Sequence, residues 1–248
     1  MVLVADHTAL MVNQVLASMP AQELEQLRSC VLRVPLVSDQ VLADYGQYDD
    51  HAFFIERGVV SFFSEPLDGE DGIQVAMVGR EGMIGGWLLM NSRHVARVRV
   101  VVHVPGTAFR VSGSDLRQAV ERSPVLRDAC ECFAQSLTTQ IMQTATCNAR
   151  RSLVERCARW LVMTRERLDG DEIRVTHESL SAMLGMRRSG VTVAAAVLQQ
   201  AGLIRTGRGR FIVLDLARLR SIARGNGLSS AVPPNGAIYG GAQLGAVL

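Results

Sequence analysis

The chain has 248 residues, of which 26 are basic and 24 acidic, and every basic residue is arginine. With 48% hydrophobic and 20% charged residues it is neither a disordered nor a fibrous sequence, and no run of about 18 apolar residues offers a membrane-spanning helix. The near-neutral total hides an asymmetry, because residues 1–145 carry 11 arginines against 17 acids (net −6) and residues 146–248 carry 15 against 7 (net +8). Two domains with different partners are expected, the second meeting a polyanion.

Five cysteines (Cys30, Cys130, Cys132, Cys147 and Cys157) make an odd set without C-x-x-C spacing, so free thiols and a cytoplasmic location are expected. The N-terminus holds Asp6 and no basic segment, a poor secretory signal. The missing lysine is a compositional bias with no mechanism attached.

Residues 8–29 predict short helices, with Leu10, Val12, Val15, Leu16, Leu24 and Leu27 at helical spacing. From 31 to 112 the pattern changes to β-rich runs at 31–37, 51–63, 72–78, 94–104 and 107–111, separated by polar turns. Such spacing predicts an antiparallel sandwich or roll. Within 95–104, Arg97 and Arg99 alternate with Val98, Val100 and Val102, the mark of a strand with one solvated face. Helical periodicity returns at 114–121, and Ser123-Pro124 opens a longer helix. Its apolar or small positions are Leu126, Ala129, Cys130, Phe133, Leu137, Ile141 and Ala145, and no charge occurs between Glu131 and Arg150. So long a stripe needs a partner, supplied by its own domain or by a second copy; a homodimer through Leu126, Phe133, Leu137 and Ile141 is expected. Residues 150–168 predict an amphipathic helix with Leu153, Cys157, Trp160, Leu161 and Thr164 inward. Asp169, Gly170 and Asp171 form a turn. Residues 224–248, with six glycines and two prolines, read as a flexible tail.

Residues 176–204 carry the functional signal. Thr176 is a good N-cap, Glu178 suits the positive end of the helix dipole, and Leu180, Met183 and Leu184 form an apolar side. Gly185 breaks the helix. A second helix begins near Arg188, with Val191, Ala194, Ala195 and Leu198 inward, and ends at Gly202. Two short helices across a glycine turn form a helix-turn-helix, and the following residues predict a two-stranded wing. No acid lies between Glu178 and Asp215, whereas Arg187, Arg188, Arg205, Arg208 and Arg210 do. Arg187, Arg188, Ser189, Gly190 and Thr192 occupy the start of the second helix, the end that enters a major groove in this motif. Arginine offers a fork to guanine or phosphate, and Gly190 allows close backbone approach. Thr176 and His177 suit phosphates, with Arg208 on the wing. Arg187 stands where a Ser or Asp cap is usual.

These motifs, with FFIERGVV and VGREGMIGG in the front half, resemble the cyclic-AMP receptor protein / fumarate–nitrate regulator (Crp/Fnr) family over about residues 8–223. The resemblance implies an α+β fold: an N-terminal antiparallel, cyclic-nucleotide-binding-like sensor β-roll (1–116), a dimerisation helix (117–147) and a winged helix-turn-helix (148–223), followed by the tail. It implies a sequence-specific regulator bound as a homodimer to a two-fold site on double-stranded DNA, with RNA polymerase as a partner. Family members that bind cyclic nucleotides hold the ribose with a glutamate where this chain has Gly86, and the phosphate with an Arg-Ser pair where it has Ala96 and Arg97. A cyclic-AMP effector is therefore not expected, and the effector is open. The redox branch's N-terminal cysteine cluster is missing, and a haem ligand would have to be His51, His94 or His103. Ser189 and Val193 replace a frequent glutamate and arginine of the family's recognition helix, so a different DNA sequence should be read. The alternatives are a haem- or redox-sensing regulator, or a cytoplasmic sensor acting through protein contacts. No G-x-S-x-G, H-E-x-x-H or phosphate loop occurs, so no catalytic site, cofactor or metal is expected.

Overall fold

The computed structural model describes residues 7–48, 50–66, 72–89 and 96–225. The expected tail falls outside them from residue 226 onward, as does His94. Short helices α1 (His7–Leu10), α2 (Gln14–Ala17) and α3 (Ala21–Arg28) precede the strands β1 (Val31–Leu36), β2 (Val41–Ala43), β3 (His51–Phe63), β4 (Gln74–Val78) and β5 (Met83–Ile84). A 3-10 turn at Gly86–Leu89 follows, then β6 (Arg99–Ser112). The strands form one antiparallel sheet in the order β1-β6-β3-β4, with β2 added on β6 and β5 on β3.

The runs read as separate strands at 94–104 and 107–111 are joined in β6, which passes straight through Pro105 and Gly106. This is possible because β3 and β6 cross at paired glycines. A Cβ on Gly106 would lie 2.1 Å from the Arg57 carbonyl oxygen, and one on Gly58 (φ +96°) would lie 2.5 Å from the Val104 carbonyl oxygen. Any side chain at either position would push apart the shifted β3–β6 register at Arg57–Val59. The predicted alternation holds nearby: Val100 and Val102 are buried, Arg97 and Arg99 exposed.

Two polar groups are built into the roll. Asn13, fully buried, caps α2 by accepting from the Val15 and Leu16 amides, and its Nδ2 donates to the Ile55 and Gly82 carbonyls at 2.8 Å each. Glu56, 4% exposed, is gripped by Arg33 through Nε (2.7 Å) and Nη2 (2.9 Å) and also accepts from Thr107 Oγ1 at 2.7 Å. Asn13 and Glu56 thus have partners for their polar atoms, the condition for placing them there at little cost.

After α4 (Gly113–Arg122), Ser123 caps α5 (Pro124–Arg150) by accepting from the Leu126 amide, with Pro124 in the first turn. The stretch 117–147 therefore contains a joint between two helices. On α5 the apolar stripe divides. Leu126, Ala129, Cys130 and Phe133 are buried in the roll's own core, and Leu137 packs against it. The Phe133 ring presses so closely on Gly82 that a Cβ there would lie 2.0 Å from it. Leu126 and Phe133, expected at a dimer seam, are instead covered by the chain itself. A helical stripe states that something apolar covers it and not which surface does. Cys130 and Cys132 face opposite sides, one buried and one exposed.

The C-terminal half comprises α6 (Leu153–Arg165), β7 (Glu172–Arg174), α7 (His177–Leu184), α8 (Arg188–Gln200), β8 (Ile204–Gly207), β9 (Arg210–Val213) and α9 (Leu216–Arg224). Cys157, Trp160, Leu161 and Thr164 are buried as expected, while Leu153 at the helix start is 41% exposed. The wing has three strands, β7-β9-β8, not two. The core of this half takes in Val59 and Met77 of the roll, so the two halves share a packed seam. Across it the Trp160 indole donates to Gln74 Oε1 at 2.7 Å, Gln140 brackets the Met77 backbone at 2.7 and 3.1 Å, and Arg167 meets Glu81 at 2.6 Å. Burial pushes the Cys130 and Cys157 thiols up to about 12, which leaves them protonated, unreactive packing groups.

Candidate nucleic-acid interface

Local chemistry sets the angle between α7 and α8. Thr176 caps α7 by accepting from the Ser179 amide at 3.0 Å. Gly185 ends it with φ +56°, and the Met186 amide returns to the Ser181 carbonyl at 3.0 Å. A second constraint on Gly185 is absent from local sequence: a Cβ there would stand 2.6 Å from Ile73 Cγ2 of the roll. The turn and the docking of the two halves thus demand the same glycine.

Helix α8 follows with Val191, Ala194, Ala195 and Leu198 buried. Arg187 is its N-cap and makes no side-chain capping bond; the Gly190 amide turns back to the Arg187 carbonyl at 2.9 Å, which leaves the Arg188 and Ser189 amides at the helix start available to an anion. Arg187, Arg188, Ser189, Thr192, Val193 and Ala196 are exposed along one side. Arg188 meets Glu178 at 3.5 Å, both more than 70% exposed, an arrangement that solvent weakens. His177 Nδ1 lies 3.1 Å from Thr192 Oγ1, and its ring tilts over Phe211 at 5.3 Å between centroids. His177 and Thr192 therefore tie α7, α8 and the wing core together.

The wing is fixed to α8 by Gln199, whose Oε1 accepts from the Thr206 amide (2.8 Å) and hydroxyl (2.7 Å). Arg205 and Arg208 are exposed on it and form no ion pair among the described residues. Arg210 does: Glu172, on the unforeseen strand β7, lies 3.5 Å from Arg210 and 3.0 Å from Arg174. Within the acid-free stretch folding thus brings acids to Arg188 (Glu178) and Arg210 (Glu172). One expected site residue is corrected. A Cβ on Gly190 would stand 3.0 Å from Leu153 Cδ1, so the bare side of Gly190 faces α6 and permits close helix packing, rather than opening backbone to a groove. Glu178, Gln199 and the exposed Val193 (63%) join the surface; the i, i+4 spacing from Arg188 through Thr192 to Ala196 was the signal for that face.

A second concavity, about 620 Å³, lies between the 3-10 turn, α4 and α5, lined by Phe62, Met83, Trp87, Leu89, Phe133 and Leu137 among others. Gly85 and Gly86 edge it, and Arg127 and Glu131 are its charged members. Of the histidines considered as haem ligands, His51 pairs with Asp50 at 2.7 Å and His103 stands edge-on to Trp160 at 5.2 Å.

This is a winged helix-turn-helix carried on an antiparallel, cyclic-nucleotide-binding-like roll. Residues 155–222 match the Crp-like helix-turn-helix domain. No curated protein matches the chain. Among solved structures it resembles a Crp/Fnr-family transcriptional regulator of Eubacterium rectale (15% identity, 86% of this chain and 99% of that one, TM-score 0.65). It also resembles FixK2 of Bradyrhizobium japonicum (15% identity, 77% and 96%, TM-score 0.65) and a CRP/FNR-family regulator of Thermus thermophilus (19% identity, 79% and 100%, TM-score 0.63). Residues 155–222 are thus a Crp-like helix-turn-helix domain, and the chain as a whole has a fold similar to that of Crp/Fnr-family transcriptional regulators. Among the described residues no helix is long and apolar enough to cross a membrane.

Proposed function

We propose that this chain is a cytoplasmic, sequence-specific DNA-binding regulator of transcription that works as a homodimer and does not depend on cyclic AMP. The observation that carries the reading is the exposed start of α8, with Arg187, Arg188, Ser189 and Thr192 presented beside the Arg205 and Arg208 wing. Arg188 and Ser189 would read base edges, while Arg187, Arg208 and the Thr176–His177 corner would meet phosphates. Dimerisation is supported by the outer half of α5, where Ile141 (38%) and Met142 (59%) are exposed on a stretch without charge. Leu137 and Ile141 remain the seam residues, and RNA polymerase would be the downstream partner.

Independence from cyclic AMP is supported by Gly86, which brings no ribose-binding carboxylate to the 620 Å³ concavity, and by that concavity's largely apolar lining. A group built to bind a sugar hydroxyl loses it sharply without its partner. Selection of bound duplexes from a random pool should return a two-fold motif with half-sites about one helical turn apart, bound less tightly as salt rises. A pool without enrichment would refute the reading, and tight calorimetric binding of cyclic AMP would refute its effector clause.

A further inference from the structure

Arginines near the end of α6 differ in how the fold treats them. Arg165 reaches Asp171 at 2.5 Å, and Arg167, just beyond the helix, reaches Glu81 at 2.6 Å. Arg156 and Arg159 form no ion pair among the described residues. Arg156 Nη2 donates to the Leu184 carbonyl, and its Nε is buried with no hydrogen-bond partner among the described residues. Among the described residues Arg159 Nη2 reaches the Thr144 hydroxyl, at 3.4 Å, and no other acceptor. Burial opposes the charge on both; the Cys147 sulfur, which lines the same cleft, acts the other way on each, and Arg167 repels Arg159. Arginine keeps its proton in proteins, so both charges stay in place, partly withdrawn from water and with no carboxylate paired to them among the described residues.

Both guanidiniums line one cleft of about 40 Å³, walled by Gln74 and Met77 of β4, Thr144 and Asn148 of α5, and Trp160. A water needs about 10–15 Å³ of such room, so the cleft admits a group of several heavy atoms. Its lining contains no carboxylate. The Gln74 amide is already engaged with Trp160 and Ser61, which leaves Asn148 as the neutral donor.

We infer that this cleft is a binding site for a small oxyanion of the phosphate class, held by the Arg156 and Arg159 forks with help from Asn148. Charge-assisted, forked hydrogen bonds of this kind are the strong ones. The anion would touch β4, α5 and α6 together, the elements that join the roll to the helix-turn-helix. This inference does not rest on the DNA-reading proposal.

The test is calorimetry on the full-length protein without DNA, titrated with inorganic phosphate and, separately, with adenosine 5′-monophosphate, in chloride buffers of matched ionic strength. Saturable binding of at least one is expected, weakened about tenfold or more by Arg156→Gln and by Arg159→Gln. Arg165→Gln, outside the cleft, should leave it unchanged. Binding of phosphate alone identifies a free anion, and tighter binding of the nucleotide identifies the phosphoryl group of a larger ligand. Asn148→Asp provides a variant of opposite sign: its carboxylate should abolish anion binding and raise the melting temperature. The absence of saturable binding, or binding that survives these three cleft substitutions, overturns the inference.

Discussion

In the roll, Arg33 lies across the buried carboxylate of Glu56, bound through two nitrogens; in the winged half, Arg187, Arg205 and Arg208 stand exposed with no ion pair among the described residues. Arg188 sits between these extremes, 3.5 Å from a Glu178 that is itself 73% exposed. The contrast teaches that arginine content says little about a surface. What decides is whether the fold delivers a carboxylate, and how far that pair is withdrawn from water. In the roll the pair is structural. In the winged half Arg187, Arg205 and Arg208 are left without a carboxylate, and under the proposed function a DNA phosphate would take its place.

The largest effect should come where the two halves meet. Burial lowers His103, set against Trp160, to about 4, with Asp39 acting weakly the other way. The unfolded chain protonates this histidine near its ordinary value of about 6.5, earlier than the folded chain does. Its contribution is therefore complete above about pH 6.5 and is lost as pH falls toward 4, by about 2–3 kcal/mol. Denaturant unfolding across that range should show the loss, and His103→Gln should flatten it. Next, Glu56→Gln should cost about 2 kcal/mol of stability, below the range for fully buried pairs because Arg33 is 37% exposed. DNA affinity of the folded protein should not change, and an altered affinity would break the contrast drawn above. Arg188→Ala should do the reverse, costing about 1–3 kcal/mol of binding to the selected duplex and relaxing base preference at one position, while the melting temperature stays within error. Arg208→Ala should weaken all sequences alike and reduce the salt slope by about one. Smallest of all, Glu178→Ala should raise DNA affinity by under about 1 kcal/mol, by freeing Arg188 from an exposed partner.

The parts of the candidate site that could be read from residues alone are those governed by near neighbours. Thr176 caps an amide three positions on, Gly185 needs the left-handed backbone, and the buried positions of α8 recur at helical spacing. None of these depends on remote chain. The charge of the same region is not legible locally, because Glu172 lies outside the acid-free stretch and reaches Arg210 through strand pairing. Nor is the packing of Gly190 against Leu153, because sequence does not say which way a Cα–H points. Strands β2, β5 and β7, of two or three residues, are too short to show a period.

The order of parts is written in the residues alone: a β-rich front, a long helix with an uncharged stretch, a glycine-broken helix pair and a basic wing. Each is a local property, written in periods of two or 3.6 and in single caps and turns. Only the tertiary structure decided what covers each apolar face and which charges find partners. It turned Leu126 and Phe133 into the roll, set Gln74 against Trp160, gave Glu56 to Arg33, and left Arg156 and Arg159 facing a cleft without an acid. Burial and electrostatics depend on groups distant in sequence, whose separations of 86 positions for Gln74 and Trp160 or 23 for Arg33 and Glu56 leave no periodic trace.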